Sequence, residues 1–353
     1  MSSYFTRYKL FLLTSIFSIS YLFAGEGLVK PVSPNPSKEA TELLQYLYSI
    51  SGKYTLSGQH CQPLYGSTRL SLVHRYTHHY PALFGQDFGF SYPGYLDGIN
   101  YRQRVVDEAI LRYSDGFIIT IMWHAVPPTE DEPVTFRKSI QGEISDEAWL
   151  ELITPGTEIN ERWKSQVDVI AWFLKQLRDA GVPILWRPYH EMNGGWFWWG
   201  KKKGDNGYKK LWRMMFDRFT NFHKLNNLLW VYNTSGMGST VDSFAEYYPG
   251  NDVVDILATD IYSKNFNEDN YYKLTELAGN KLIALGEVGN LPGVEVLEKQ
   301  PRWVWFMHWG DPERLLQNSD EFNKIFSSEK VITLDELPWV KISEPRIHYP
   351  LIR

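Results

Sequence analysis

Only one cysteine, Cys61, occurs in 353 residues, so no disulfide can form within the chain and the fold must stand on packing alone. Cys61 lies far from the N-terminus, so there is no lipobox. Long basic runs are also missing. Lys201–Lys203 is the densest cluster and reads as a solvated loop, and with a net charge of −5 nucleic acid is not expected as a partner. There are no low-complexity segments and no internal repeats. No Gly-rich phosphate fingerprint follows any strand candidate. Where barrel metallohydrolases carry His-x-His after the first strand, this chain reads "GQHCQ" (58–62), and no other His/Cys/Asp spacing supports a metal. Neither a metal nor a cofactor is expected.

Long apolar runs are absent except at the N-terminus. There Arg7 and Lys9 precede "LFLLTSIFSISYLF", a run of fourteen residues from Leu10 to Phe23, followed by Ala24 and Gly25. That is too short to cross a bilayer comfortably and fits a secretory signal over 1–24, cleaved after Ala24. An uncleaved anchor helix is the alternative. Export to a bacterial periplasm or beyond is expected, with no stable membrane anchor after cleavage. Residues 25–37 are Pro-rich and polar and read as a linker into one domain over 38–353, expected to act as a monomer.

What is abundant is aromatic surface: 14 Trp, 22 Tyr and 19 Phe make up 16% of the chain. Core packing would account for part of it. Sugar clefts also need flat apolar platforms for the C–H faces of pyranose rings. Short apolar runs recur at strand length: 54–60, 81–89, 116–125, 183–191, 227–235, 254–263, 281–289 and 302–310. Several are near-continuous β-branched or aromatic runs, as in parallel strands covered on both faces. Helical stripes fill the gaps. Trp163, Val167, Ile170, Leu174 and Leu177 recur at steps of three and four, and further stripes run through 101–113, 208–223 and 313–326. Eight strands with helices between them predict a single α/β domain, a (β/α)8 TIM barrel. A doubly wound open sheet is the competitor. Segments 60–80 and 125–157 read as loops on the face where barrel sites form.

Polar residues close almost every strand candidate: His60, Asp87, His124, Glu191, Asp260 with Tyr262, Glu287, and His308 with Trp309. Buried there, each would incur a desolvation cost unless paired, so together they suggest a ring around a cleft. Glu191 and Glu287 end strands four and seven, which are expected to face each other. Glycoside hydrolysis needs two such carboxyl groups, roughly 5–5.5 Å apart for retention and roughly 6.5–9.5 Å apart for inversion. Glu191 lies in "HEMNGGWFWW", where a low dielectric would keep it protonated for acid work. Glu287 would stay ionised if a donor such as Tyr262 bonds its carboxylate. A structural ion pair with an arginine is the bland reading for either glutamate alone.

The motifs "RPYHEMNGGWFWWG", "TDIYS", "ALGEVG" and "FMHWGD" resemble, in order and across the whole mature chain, those of glycoside hydrolase family 26. The resemblance implies a retaining barrel, mostly known as β-1,4-mannanases, with a few members acting on β-1,3-xylan or mixed-linkage glucan (lichenan). It implies Glu191 as general acid/base and Glu287 as nucleophile. His190 matches the family's His before the acid, and Arg187 a residue near the −1 sugar. Tyr262 matches a tyrosine bonded to the nucleophile, and Asp260 an acid near the cleft. Trp196 matches a leaving-group-side aromatic, His124 a histidine at the glycone sugar, and Trp309 the floor of the −1 subsite, with Trp305 as its rival. The implied substrate is β-mannan or manno-oligosaccharides. Exo-acting release of mannobiose, a sister specificity for β-1,3-xylan or lichenan, and a non-catalytic glycan-binding barrel stay as alternatives. His124 and His190 also read as core histidines. Trp198 and Trp199 would serve equally to pack the loop or to touch sugar, and His74, His78 and His79 are assigned nothing.

Overall fold

A computed structural model describes residues 29–91, 96–264, 266–310, 319–341 and 345. Eight parallel strands run in chain order around the molecule: β1 (Thr55–His60), β2 (Leu83–Asp87), β3 (Ile118–Trp123), β4 (Ile184–Pro188), β5 (Leu228–Ser235), β6 (Ile256–Ile261), β7 (Leu282–Val288) and β8 (Trp303–His308). Each pairs with the next, and β8 returns to β1 in the register Leu56↔Trp305 to Gln59↔His308. That last pairing closes the sheet, which makes the fold a single-domain (β/α)8 TIM barrel and removes the open-sheet alternative. Every residue of the eight strands is buried except Ser235, because helices cover the sheet outside and side chains fill the barrel inside. Near-continuous apolar runs such as "IITIMW" in β3 are what a strand with no solvated face requires, and its one polar residue, Thr120, donates to the Leu185 carbonyl.

The helices follow the same physics. The longest, α5 (Glu158–Asp179), buries Trp163, Val167, Ile170, Leu174 and Leu177, the stripe predicted from the sequence. Its Thr157 side chain accepts from the Asn160 N–H, satisfying one of the open donors at the helix start. Before the barrel, α1 (Lys38–Ile50) starts at Ser37, which caps the Ala40 N–H. The part of the expected linker that is described is docked on the barrel. Val32 N–H donates to Asp255, the Ser33 hydroxyl to the Leu228 carbonyl, and Ser37 N–H to the Asn226 carbonyl. The signal expected over 1–24 lies outside the described residues. Among the described residues, no helix is long and apolar enough to cross a membrane.

Three expectations change. Segment 60–80 is mostly helical, carrying α2 (Thr68–Thr77) after a turn at Pro63–Tyr65. Its polarity hid it, because only Leu70, Ser71, Val73 and Thr77 face inward. Segment 125–157 likewise carries α4 (Asp146–Leu152), with only Trp149 and Leu152 buried. The helix α3 (Arg102–Ser114) matches its predicted stripe. The fourth strand also ends earlier than its apolar run, at Pro188, since Tyr189 and Glu191 take φ of +48° and +55°. Left-handed backbone at two non-glycine residues is uncommon and carries strain. It turns the chain sharply at the top of the barrel, where the polar residues gather.

Candidate active site

Four strand tops build the centre. Arg187, in β4, is 2% exposed and reaches across to β5, β6 and β7. Its Nε donates to Asn233 Oδ1 (2.9 Å), and its Nη2 donates to Glu287 Oε1 (2.8 Å) and faces Asp260 Oδ1 at 3.5 Å. Asp260 and Glu287 are direct partners in the β6–β7 register. The second oxygen of Glu287 accepts from the Tyr262 hydroxyl. Tyr262 is half exposed as a residue, yet its hydroxyl end is the buried one. Glycine underlies this packing twice. A Cβ at Gly286 would lie 1.7 Å from Asn233 Oδ1, and one at Gly289 would lie 2.8 Å from the Tyr262 ring.

Glu191 arrives from the strained turn after β4. Its backbone N–H donates to the Asn233 carbonyl (2.7 Å), which fixes the turn against β5. Its Oε2 accepts from Trp196 Nε1 (2.7 Å). The Trp196 ring lies on Gly194, where a Cβ would come within 2.1 Å of it. The two glutamate-bearing strands are not directly opposed, since only β5 and β6 separate β4 from β7. What joins the groups is the turn. Ligand atoms of His190, Glu191 and Asp260 lie within 4.8 Å of one another. That spacing would suit a cation, but the Arg187 guanidinium already stands beside Asp260.

Burial sets the protonation states. Glu191 is pushed up to about 7, first by desolvation and then by the Glu287 charge, with the Trp196 donor pulling the other way. Asp260 is raised well above the usual carboxylate range by burial and by Glu287 and Glu191, against the pull of Arg187. His190 is driven well below its ordinary value, first by burial and then by its neighbours, the Arg187 guanidinium among them, so it is neutral. For Arg187, burial works against the charge, but Asp260 and Glu287 outweigh it. One carboxyl therefore holds a proton near neutrality, while the other has an oxygen on a cation and an oxygen on a phenol.

Around this centre lies an aromatic wall. His124, just past β3, stands edge-on to His190 (centroids 4.6 Å apart), Phe197 (5.4 Å), Phe136 (5.4 Å) and Trp309 (6.2 Å). The Trp309 ring stacks on His60 at 3.6 Å and stays partly exposed, and its backbone N–H is tied to the Val288 carbonyl (3.0 Å). Its rival Trp305 is fully buried within β8. Trp198 and Trp199 pack the loop, donating to the carbonyls of Ala125 and His190 at 2.8 Å. His308 points into the β1–β8 seam, where its Nδ1 meets Gln59 Oε1 (2.8 Å). Away from the cleft, His74 stacks on Tyr80 and His79 faces Asp335.

The structure thus brings Glu191, Glu287, His124, Arg187, His190, Trp196, Asp260, Tyr262 and Trp309 to one end of the barrel. Sequence reasoning missed Asn233, which holds both Arg187 and the Glu191 turn. An amide inside the buried run "LLWVYNTS" was the available sign. Phe136 and Phe197 were also missed, because nothing separates a wall aromatic from a core one in sequence.

Residues 32–336 match the family described as Glycosyl hydrolase family 26. A mannan endo-1,4-beta-mannosidase of Thermothelomyces thermophilus is 35% identical over 318 residues, 86% of this chain and 62% of that protein. A mannan endo-1,4-beta-mannosidase B of a Piromyces species is 27% identical over 87% of this chain and 53% of its own length, so the chain spans little more than half of such relatives. Among solved structures, GH26A of a Muricauda species superposes with a TM-score of 0.82 at 43% identity, covering 86% of this chain and 99% of that one. A beta-mannanase from a symbiotic protist of the termite Reticulitermes speratus, complexed with gluco-manno-oligosaccharide, gives 0.74 at 31% identity, covering 88% of this chain and 97% of that one. The match runs through every strand of the barrel and both glutamate-bearing motifs: this chain belongs to glycosyl hydrolase family 26.

Proposed function

We propose that the protein hydrolyses β-1,4-mannosidic linkages in mannan, galactomannan or manno-oligosaccharides with retention of configuration, without a cofactor. The observation that carries the chemistry is the unequal pair of carboxyls, Glu191 pushed up to about 7 beside the Trp196 N–H and Glu287 held between Arg187 and Tyr262. In the first step a Glu287 oxygen attacks the anomeric carbon. Glu191 gives its proton to the departing glycosidic oxygen, and a glycosyl–enzyme ester forms. In the second, Glu191 takes a proton from water as that water displaces the Glu287 carboxylate, which returns both groups to their starting states. Arg187 neutralises Glu287 in the ground state and orients it. Trp309 would lie under the sugar at the reacting subsite, and Trp196 beside the leaving group.

The choice of mannan is supported by the names of the relatives and by the gluco-manno-oligosaccharide bound to one of the solved structures. Endo action is the reading adopted. Chain-end action would need a loop that blocks the cleft beyond the −2 sugar, and the long segment after β1 instead carries α2, a helix of the first β/α unit. A panel of linear mannan, galactomannan, β-1,3-xylan and lichenan tests the substrate. Mannan hydrolysis with a spread of oligosaccharides is expected, and activity on xylan or lichenan alone would overturn the choice. Glu287→Ala is expected to keep the fold and lose mannan hydrolysis by several orders of magnitude. Near-wild-type activity would remove Glu287 from the nucleophile's role. We also place the mature enzyme outside the cytoplasm. Protein recovered from a bacterial host is expected to begin at Gly25, and an intact Met1 on exported material would contradict cleavage there.

A further inference from the structure

Asp87, the last residue of β2, is 2% exposed and closes a set of acceptors whose donors are all fixed. Its Oδ1 accepts from the backbone N–H of Gly89 (2.7 Å) and of His124 (3.2 Å), and its Oδ2 meets His124 Nδ1 at 2.7 Å. Neither backbone donor has room to move. A Cβ at Gly89 would lie 2.5 Å from the His124 carbonyl oxygen, and the intervening Phe88 N–H is bonded to Met122 O (3.0 Å). The His124 ring packs against Phe90, Phe136, Phe197 and His190 on its other sides, and turned over it would set a carbon against Asp87 and forfeit the 2.7 Å contact. A carboxylate accepting two N–H bonds on one oxygen accepts the imidazole hydrogen on the other. The proton then sits on Nδ1 and the lone pair on Nε2, at the ring edge away from Asp87.

We propose that Asp87 is a positioning residue that fixes His124 in the Nδ1–H tautomer, so that Nε2 meets the glycone sugar as a hydrogen-bond acceptor and selects a hydroxyl that donates to it. This rests on reading the cleft as a β-mannan site. The logic is that of the buried aspartate in a Ser-His-Asp triad, which sets the tautomer of its histidine. Asp87→Asn makes the idea sharp. The two backbone N–H groups must keep facing the amide oxygen, which turns the amide NH2 toward His124 Nδ1. The ring must then accept at Nδ1 and carry its hydrogen on Nε2, presenting a donor to the sugar where an acceptor stood.

The test uses the full chain labelled with 15N-histidine at pH 7, with a His124→Gln spectrum picking out one resonance pair among nine histidines. In the wild type, Nδ1 is expected to be protonated and Nε2 to be of the pyridine type. In Asp87→Asn the two should exchange. With that exchange, kcat/KM on mannopentaose should fall on the order of 100-fold, because a site built to accept a hydroxyl hydrogen faces it with a hydrogen of its own. Three results would overturn the proposal: a wild-type His124 protonated on Nε2, a variant that keeps the wild-type tautomer, or an exchanged tautomer with kcat/KM within threefold of wild type. The wild-type spectrum decides the first of these even where the variant does not fold. An enzyme that leaves mannan untouched would overturn the substrate reading instead, and the tautomer comparison would still stand.

Discussion

Glu191 begins as a carboxylate among tryptophans and ends as an acid with one indole partner. Burial, more than any single neighbour, pushes it up to about 7, and the Trp196 N–H opposes that rise by bonding the charged form. The sign of its pH behaviour follows. A general acid works while protonated, so kcat/KM should fall as pH rises through about 7. Trp196→Phe removes the donor to the ionised form, so that limb should move to higher pH. A kcat/KM profile on mannopentaose checks this; a limb that stays put or moves to lower pH would show that the indole does not hold the carboxylate. Glu191 and Glu287 were legible as a pair because both close strand candidates. The Asp87–His124 contact was not, since 37 positions separate the partners and no local pattern marks them.

At the scale of elements, the strands were legible for the reason that makes them buried. β3 and β8 are near-continuous apolar runs, interrupted only by Thr120 and His308, because both faces are covered, and α5 shows its stripe because one face alone is. The failures have equally physical causes. α2 buries two polar residues among its four inward ones, so its period was lost in composition. β4 was read three residues too long because Tyr189 enters left-handed backbone without the glycine that usually announces it. The segment after β3 is anchored in a way no motif suggested. Arg102, at the start of α3, is 1% exposed, donates to the Phe88 carbonyl through Nε (3.0 Å) and forks onto Glu132. Asp97 accepts from Val134 N–H (2.8 Å) a few residues on. Removing one partner of so buried a pair is strongly destabilising. Arg102→Ala should lower unfolding stability by about 3 kcal/mol in chemical denaturation. A loss within the error of the measurement would mean that the Arg102–Glu132 pair does not hold the 125–140 segment.

For the whole molecule, closure between β1 and β8 turns a list of strand ends into a site. The Gln59 amide donates to the His60 carbonyl in its own strand and to the His308 carbonyl across that seam, and Trp309 lies stacked on His60 beside it. The ring of polar residues was visible in the sequence, but its geometry was not. Four strands contribute to the Arg187 network, and only the barrel brings them together. The aromatic surplus divides between core, as with the buried Trp198 and Trp199, and cleft wall, as with the partly exposed Trp196 and Trp309. The central claim is that this cleft cleaves β-mannan in two displacements through Glu191 and Glu287. Its most direct test is the anomeric configuration of the first product, followed by proton NMR as the enzyme is added to mannopentaose. The account predicts that the β-anomer appears first and then mutarotates. Initial release of the α-anomer would contradict it, because a single displacement by water inverts the centre that two displacements retain.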